Sequence, residues 1–174
     1  MAPPRPRGEA VVLPDGARIL IRPVEPGDAP VIRAAFEHLA DVSRYRRFLS
    51  PIEHLSLEQL DYLTHVDHDR HEALGALDPS TGEGLGIARY VRDPRDATQA
   101  EVAVTVADAW QGRGVGGALA ERLADRARAA GVERFTARRL IGNHAARRLL
   151  DRVAEPIGER EDGGTVRVTA RLRR

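Results

Sequence analysis

The stretch Glu101-Val102-Ala103-Val104-Thr105-Val106-Ala107-Asp108-Ala109-Trp110-Gln111-Gly112-Arg113-Gly114-Val115-Gly116-Gly117 decides how the rest of the chain is read. Its first half alternates as a strand does, its second half is a glycine-rich loop, and Ala118 onward carries a helical pattern. A strand feeding such a loop and then a helix gathers backbone N–H groups, and the positive end of a helix dipole, around one anion. The glycines keep Cβ atoms away from an approaching phosphate. On these residues alone the expected ligand carries phosphate, and nothing finer is specified.

Outward from this stretch the chain reads as a mixed α/β sheet. Toward the N-terminus, Glu72 to Leu77, Gly84 to Val91 and residues 99–106 form a three-strand meander, turned at Asp78-Pro79-Ser80-Thr81-Gly82 and at Asp93-Pro94-Arg95-Asp96. Before it lie three helices. Asp28 is expected to cap the first, with Val31, Ile32, Ala35, Phe36 and Leu39 as its apolar stripe, and Ser43 the second. Ser56-Leu57-Glu58-Gln59 is a capping box opening the third, through about Thr64. A hairpin around Pro14-Asp15-Gly16-Ala17 comes first. Toward the C-terminus, Val115, Leu119, Leu123 and Ala127 share one face of a helix that Gly131 stops. A strand from Val132 to Leu140, a helix capped by Asn143, and a hairpin around Asp162-Gly163-Gly164 complete the order.

A chain of 174 residues suffices for one domain with a sizeable core; residues 1–8, rich in Pro and Arg, read as a disordered leader and 9–174 as the domain. With 42% apolar and 30% charged residues the composition is that of a soluble globular protein. No apolar run is long enough to cross a bilayer, and the first residues lack the apolar segment of a secretion signal, so the cytoplasm is expected. The absence of cysteine excludes disulfides, thiolate metal sites and a Cys nucleophile. A net charge of +1 makes no electrostatic case for nucleic acid or a membrane surface as partner. All 27 basic residues are Arg, so no side-chain amine is available for Schiff-base chemistry or for acetylation of the chain itself.

Gly112-x-Gly114-x-x-Gly117 matches the dinucleotide fingerprint, and the next strand ends in Arg138-Arg139, where a 2′-phosphate contact would be sought. A doubly wound fold needs more βα units than the remaining residues supply, which disfavours that reading. No Gly-Lys-Ser/Thr follows the glycines, which excludes a kinase-type P-loop.

Gln111-Gly112-Arg113-Gly114-Val115-Gly116 resembles the Gln/Arg-x-x-Gly-x-Gly/Ala motif of the GNAT acetyl-CoA-dependent N-acetyltransferases, and the likeness covers roughly residues 17–172. More closely, Ala100 to Val106, Arg134-Phe135-Thr136-Ala137 and Arg160-Glu161-Asp162 are similar to the catalytic domain of bacterial, especially actinobacterial, Pat-type protein lysine acetyltransferases. The resemblance implies a splay between two parallel central strands, 101–106 and 134–140. It implies the pyrophosphate of acetyl-CoA on the N–H groups of Gln111, Gly112, Arg113, Gly114, Val115, Gly116 and Gly117. The pantetheine arm would lie along Val104, Thr105 and Val106, with Asn143 beside it.

The same resemblance makes Glu101 the catalytic base and a backbone N–H near Val104 the oxyanion donor. Where many GNAT enzymes place a tyrosine acid this chain has Leu150, and Ala154-Glu155 replaces the usual Gly-Phe. The acceptor implied is a protein lysine; a small-molecule amine and a non-catalytic acyl-CoA-binding regulatory module are the alternatives.

Three further groups stay outside this scheme. His65, Asp67, His68, Asp69 and His71 read as a polar loop in preference to a metal site, so no metal is expected. Arg44, Arg46 and Arg47 read as a solvated helix face in preference to an acceptor surface, and Trp110 as a packing anchor beneath the loop.

Overall fold

The computed structural model describes residues 8–174, so the expected leader lies, but for Gly8, outside the described residues. Eight strands form one sheet: β1 (Glu9–Val12), β2 (Arg18–Pro23), β3 (His71–Leu77), β4 (Gly84–Arg92), β5 (Gln99–Val106), β6 (Arg134–Leu140), β7 (Ala154–Asp162) and β8 (Thr165–Leu172). The order is β1-β2-β3-β4-β5-β6-β8-β7, antiparallel throughout except between β5 and β6. The helices are α1 (Ala29–Glu37), α2 (Asp41–Phe48), α3 (Leu57–Thr64), α4 (Val115–Ala129) and α5 (His144–Val153). Among the described residues no helix is long and apolar enough to cross a membrane. The mixed α/β architecture is the one read from the sequence.

Helix α4 forms the core of one face. Val115, Leu119, Leu123 and Ala127 are fully buried, and the small residues Gly117, Ala118, Ala120 and Ala124 let the helix lie close on the sheet. Gly86 in β4 completes that approach, since a Cβ there would sit 3.1 Å from Leu119 and 3.2 Å from Val115. The helix ends as expected: Gly131 adopts a φ of +83° and Val132 N–H reaches back to the Ala127 carbonyl. On the other face lie α1, α2 and α3. Ser56 and Gln59 form the reciprocal box at the start of α3, at 3.0 and 2.8 Å.

Both other caps differ from the expectation. Asp28 does not cap α1; its carboxylate receives Arg22 and the Glu25 N–H, and closes the single 3-10 turn before the helix. Ser43 lies inside α2, where its hydroxyl donates to Asp108 at 2.5 Å. Asp108 also accepts the Ala40 N–H at 2.6 Å, so a residue distant in the chain caps α2. The arginines of α2 are not a solvated face either. Arg44 is half-buried and donates to the carbonyls of Phe36, Glu37 and Glu53, tying α2 to the end of α1. Arg47 turns inward, and of the three only Arg46 is exposed.

Candidate active site

The parallel strands β5 and β6 pair at only three positions, Gln99↔Arg134, Ala100↔Phe135 and Glu101↔Thr136, and then part. The meander fixes which groups of β5 line the gap. Ala107 N–H bonds to Leu85 in the β4 direction, so main-chain groups alternate and those of Val104 and Val106 point away from β4. Gln111 Nε2 donates to the Val106 carbonyl at 3.1 Å and to Asp108 at 3.0 Å. That leaves the amide of Val104 and the N–H of Val106 facing the opening. Thr105 is placed differently: its main chain faces β4 opposite Ile87, and its hydroxyl is buried without a hydrogen-bond partner.

The glycine loop closes one end of this gap. Gly112 and Gly114 have φ of +74° and +101°, which L side chains rarely adopt. A Cβ on Gly114 would lie 3.1 Å from Pro14, and one on Gly116 3.2 Å from Leu149 and 3.3 Å from Val106. Arg113 holds the loop by stacking 3.9 Å from the Trp110 ring centroid and pairing with Asp15 at 2.7 Å. Trp110 itself packs half-buried against the core, as an anchor should. Among the described residues no acceptor is bonded to the N–H groups of Gly112, Arg113, Gly114, Val115, Gly116 or Gly117. They point where α4 presents its positive end.

A cleft of about 490 Å³ runs from this loop between β5 and β6 to α5. Asn143 borders it at the start of α5, where its Oδ1 accepts the Ala146 N–H at 3.2 Å and its amide nitrogen stays available. Arg46, Arg138 and Arg148 line the mouth of the cleft and have no carboxylate within ion-pair distance among the described residues. A ring of glycines, unused amides and guanidinium groups suits a long ligand that carries several phosphates and amides. Helix α5 ends by running directly into β7 at Ala154, where Ala154-Glu155 stands in place of Gly-Phe, and Leu150 is buried.

Glu101 is the last residue of β5 paired with β6, and it is exposed on the face opposite α4. Cross-strand register puts Arg89 opposite Ala103, so Glu101, Arg89 and Thr105 share one stripe of that face. Arg47 reaches the same place from α2, 4.7 Å from the Phe48 ring centroid. Burial lowers the pKa of the Arg47 guanidinium, while Tyr62 and Glu101 oppose the shift. Arg89 is buried; burial and the charge of Arg47 bring it down to about 9, so it remains a cation at neutral pH.

The histidine run proves structural in arrangement. His71 is buried with its Nε2 2.9 Å from Arg89 Nη1, and His68 Nδ1 lies 2.7 Å from the buried carboxylate of Glu72. Among the described residues no group of three or more metal-ligating side chains converges. Sequence reading missed Arg89 and Asp108. A charge inside the apolar run Leu85-Gly86-Ile87-Ala88-Arg89-Tyr90 was the available signal for the first. The second left none, because its partners Ala40 and Ser43 are remote in the chain.

A sheet that opens between its two parallel strands, with unbonded N–H groups at the mouth, defines the GNAT fold. The chain belongs to the GNAT family: the acetyltransferase (GNAT) domain model matches residues 18–154. The matched residues make up most of the chain, which is thus an acetyltransferase (GNAT) domain by family. It is 38% identical over 151 residues to acetyltransferase Pat of Mycolicibacterium smegmatis, covering 87% of this chain and 45% of that protein. The chain thus spans less than half of that relative. To acetyltransferase PA5475 of Pseudomonas aeruginosa it is 33% identical over 162 residues, 92% of this chain and 86% of the relative. Among solved structures, the GNAT domain of S. lividans PAT superposes with a TM-score of 0.86 at 35% identity, covering 95% of this chain and 97% of that one.

Proposed function

We propose that the chain transfers an acetyl group from acetyl-CoA to an amine, a protein lysine side chain, by direct attack with both substrates bound. The parting of β5 and β6 immediately beyond the Glu101↔Thr136 pair carries this reading. An extended pantetheine arm lying in that gap would meet Val104 and Val106 as an added strand does. The N–H groups of residues 112–117 would then take the diphosphate; that of Gln111, expected to join them, already donates to the Asp108 carbonyl at 3.3 Å, and Asn143 would donate its free amide to the arm. Thr105 contributes through its place on the strand, because its main chain points to β4. Lysine as the acceptor follows from the Pat-type resemblance of the sequence, and the likeness to the Pat relatives accords with that resemblance.

The reacting amine is an ammonium in water, with a pKa of about 10.4 for lysine, and must lose one proton before it attacks. The carboxylate of Glu101 takes that proton, directly or through water, and passes it to solvent. The nitrogen lone pair then forms the C–N bond as the thioester C–S bond breaks, with the carbonyl oxygen's charge received by the Val104 N–H. The sulfur departs as a thiolate, since Leu150 supplies no acid and a thiol with pKa of about 8.5 needs none; the now cationic nitrogen gives its extra proton to Glu101 or water, which leaves the neutral amide.

A small-molecule amine is the second reading, favoured by an apolar pocket of about 90 Å³ next to Glu101's stripe, bordered by Thr105 and Arg47. Thiol release from acetyl-CoA, with mass spectrometry of the acceptor, decides between them. The lack of lysine keeps side-chain self-acetylation out of that measurement. No thiol release with any amine or protein would leave a non-catalytic acyl-CoA-binding module.

A further inference from the structure

The apolar cavity between the sheet and α1 to α3 contains a contrast. At one end Arg22 is paired fork to fork with Asp28, at 2.6 and 2.8 Å. At the other end stand Arg47 and Arg89, and among the described residues neither has a carboxylate within ion-pair distance. Arg89 donates only to neutral groups, His71 Nε2 at 2.9 Å and the Leu63 carbonyl at 3.2 Å. Since a guanidinium has no acceptor, His71 Nε2 must be the unprotonated nitrogen, and that histidine supplies no counter-charge. Beside them the Thr105 hydroxyl is buried without a partner.

Two cations brought together out of water repel one another and lose hydration, a cost that a bound anion offsets. The apolar walls, Val24, Ile32, Phe36, Leu39, Phe48 and Leu63, supply no such anion. Arg47 and Thr105 border both this cavity and the cleft between β5 and β6, so an anion here lies next to that cleft. Glu101 lines neither opening, but it is on the same stripe of the sheet, diagonal to Arg89 on the neighbouring strand, and its charge reaches Arg47 from beyond ion-pair distance. Diagonal neighbours are separated by about 7–8 Å, a span that a short bifunctional molecule bridges.

We infer that the acceptor is an amino-carboxylate: its amine meets Glu101, its carboxylate is received by Arg47 and Arg89 with the Thr105 hydroxyl, and its apolar part enters the cavity. This rests on the reading that acyl transfer occurs beside Glu101, and it narrows the acceptor class. A planar carboxylate matches the guanidinium fork, and two cations at this position disfavour polyamines. The same chemistry comes from a free apolar amino acid or from an acidic residue flanking a lysine in a peptide.

The test compares acceptors in matched pairs, following thiol release from acetyl-CoA: leucine against leucinamide, phenylalanine against phenylalaninamide, and lysine peptides with Glu or Gln beside the lysine. In the wild-type protein the acid of at least one pair should exceed its neutral partner in kcat/KM by roughly 10- to 100-fold, the range of one charged hydrogen bond. Whichever pair shows the preference identifies the source. In Arg47→Gln that ratio should fall to near one; Arg47 has no ion pair to lose among the described residues, and circular dichroism checks the fold. Equal rates within every pair, or an unchanged ratio in Arg47→Gln, overturn the proposal. If Glu101→Gln still slows transfer in that case, the acetyl-transfer reading survives. Arg47-dependent use of succinyl-CoA over acetyl-CoA with a neutral amine would also overturn it, assigning the pair to the acyl donor. No thiol release with any acceptor would reject transfer beside Glu101, and this proposal with it.

Discussion

Arg89 Nη1 lies 2.9 Å from His71 Nε2, both side chains buried under α3 and beside the cavity. The imidazole has to stay neutral to accept that bond. Burial, and after it the charge of Arg89, hold its pKa down to about 4 from an ordinary 6.5.

The unfolded chain therefore binds a proton near pH 6.5 that the folded chain refuses until about pH 4. The stability this histidine contributes is complete above pH 6.5 and is lost progressively as the pH falls toward 4. Urea midpoints measured between those limits should decline in the native protein and decline less steeply in His71→Gln. Parallel declines would remove His71 as their cause.

Gly114→Glu should abolish CoA binding. The substitution places a carboxylate in the cradle of N–H groups and a Cβ 3.1 Å from Pro14, at a φ of +101°. Left-handed backbone costs a non-glycine residue roughly 1–2 kcal/mol, so some loss of Tm is expected as well. Titration calorimetry with CoA on the folded variant separates the two effects. Retained micromolar affinity would move the diphosphate away from this loop.

Glu101→Gln keeps the side chain's size and removes its basicity. The acetyl-transfer rate should fall by roughly 10²–10⁴-fold, with CoA affinity little changed. Because the exposed carboxylate has no ion pair among the described residues, the folding free energy should stay within about 0.5 kcal/mol of native. Near-normal turnover would assign proton transfer to water or to another group.

Asn143 separates cap from contact. Asn143→Ala loses the acceptor for Ala146 N–H and should destabilise the protein by about 0.5–2 kcal/mol. Asn143→Asp keeps an acceptor and loses the amide donors. A native Tm with a raised KM for acetyl-CoA in Asn143→Asp would show that the side chain serves both purposes; an unchanged KM would leave it a cap alone.

The sheet, its helices and the cradle were legible because each rests on local signals. Alternation marks β3 to β5, the spacing of Val115, Leu119, Leu123 and Ala127 marks α4, and the glycines mark where the backbone turns left-handed. The second anion-receptive corner was not legible. Arg47 and Arg89 belong to elements far apart in the chain, and only the packing of α2 over β4 and β5 brings them together. The same holds for α2's start: Ser43 carries the right chemistry for a cap, yet Asp108 reaches Ala40 first and turns that hydroxyl into a donor. Asp28 fails as a cap for a similar reason, since Arg22 from β2 claims both of its oxygens.

The brevity of the seam between β5 and β6 has a mechanical consequence. Only three rungs join a five-stranded leaf to a three-stranded one, with α4 as the spine behind them. Such a binding is expected to give most readily about its stitched end, so that whatever is lodged inside sets the width of the wedge. In the pose proposed above, the tail of the incoming thioester would act as the absent rung, and filling the slot should stiffen both leaves at once. Amide-exchange protection would then rise on Val104 and also on β6 and β8, far from any phosphate.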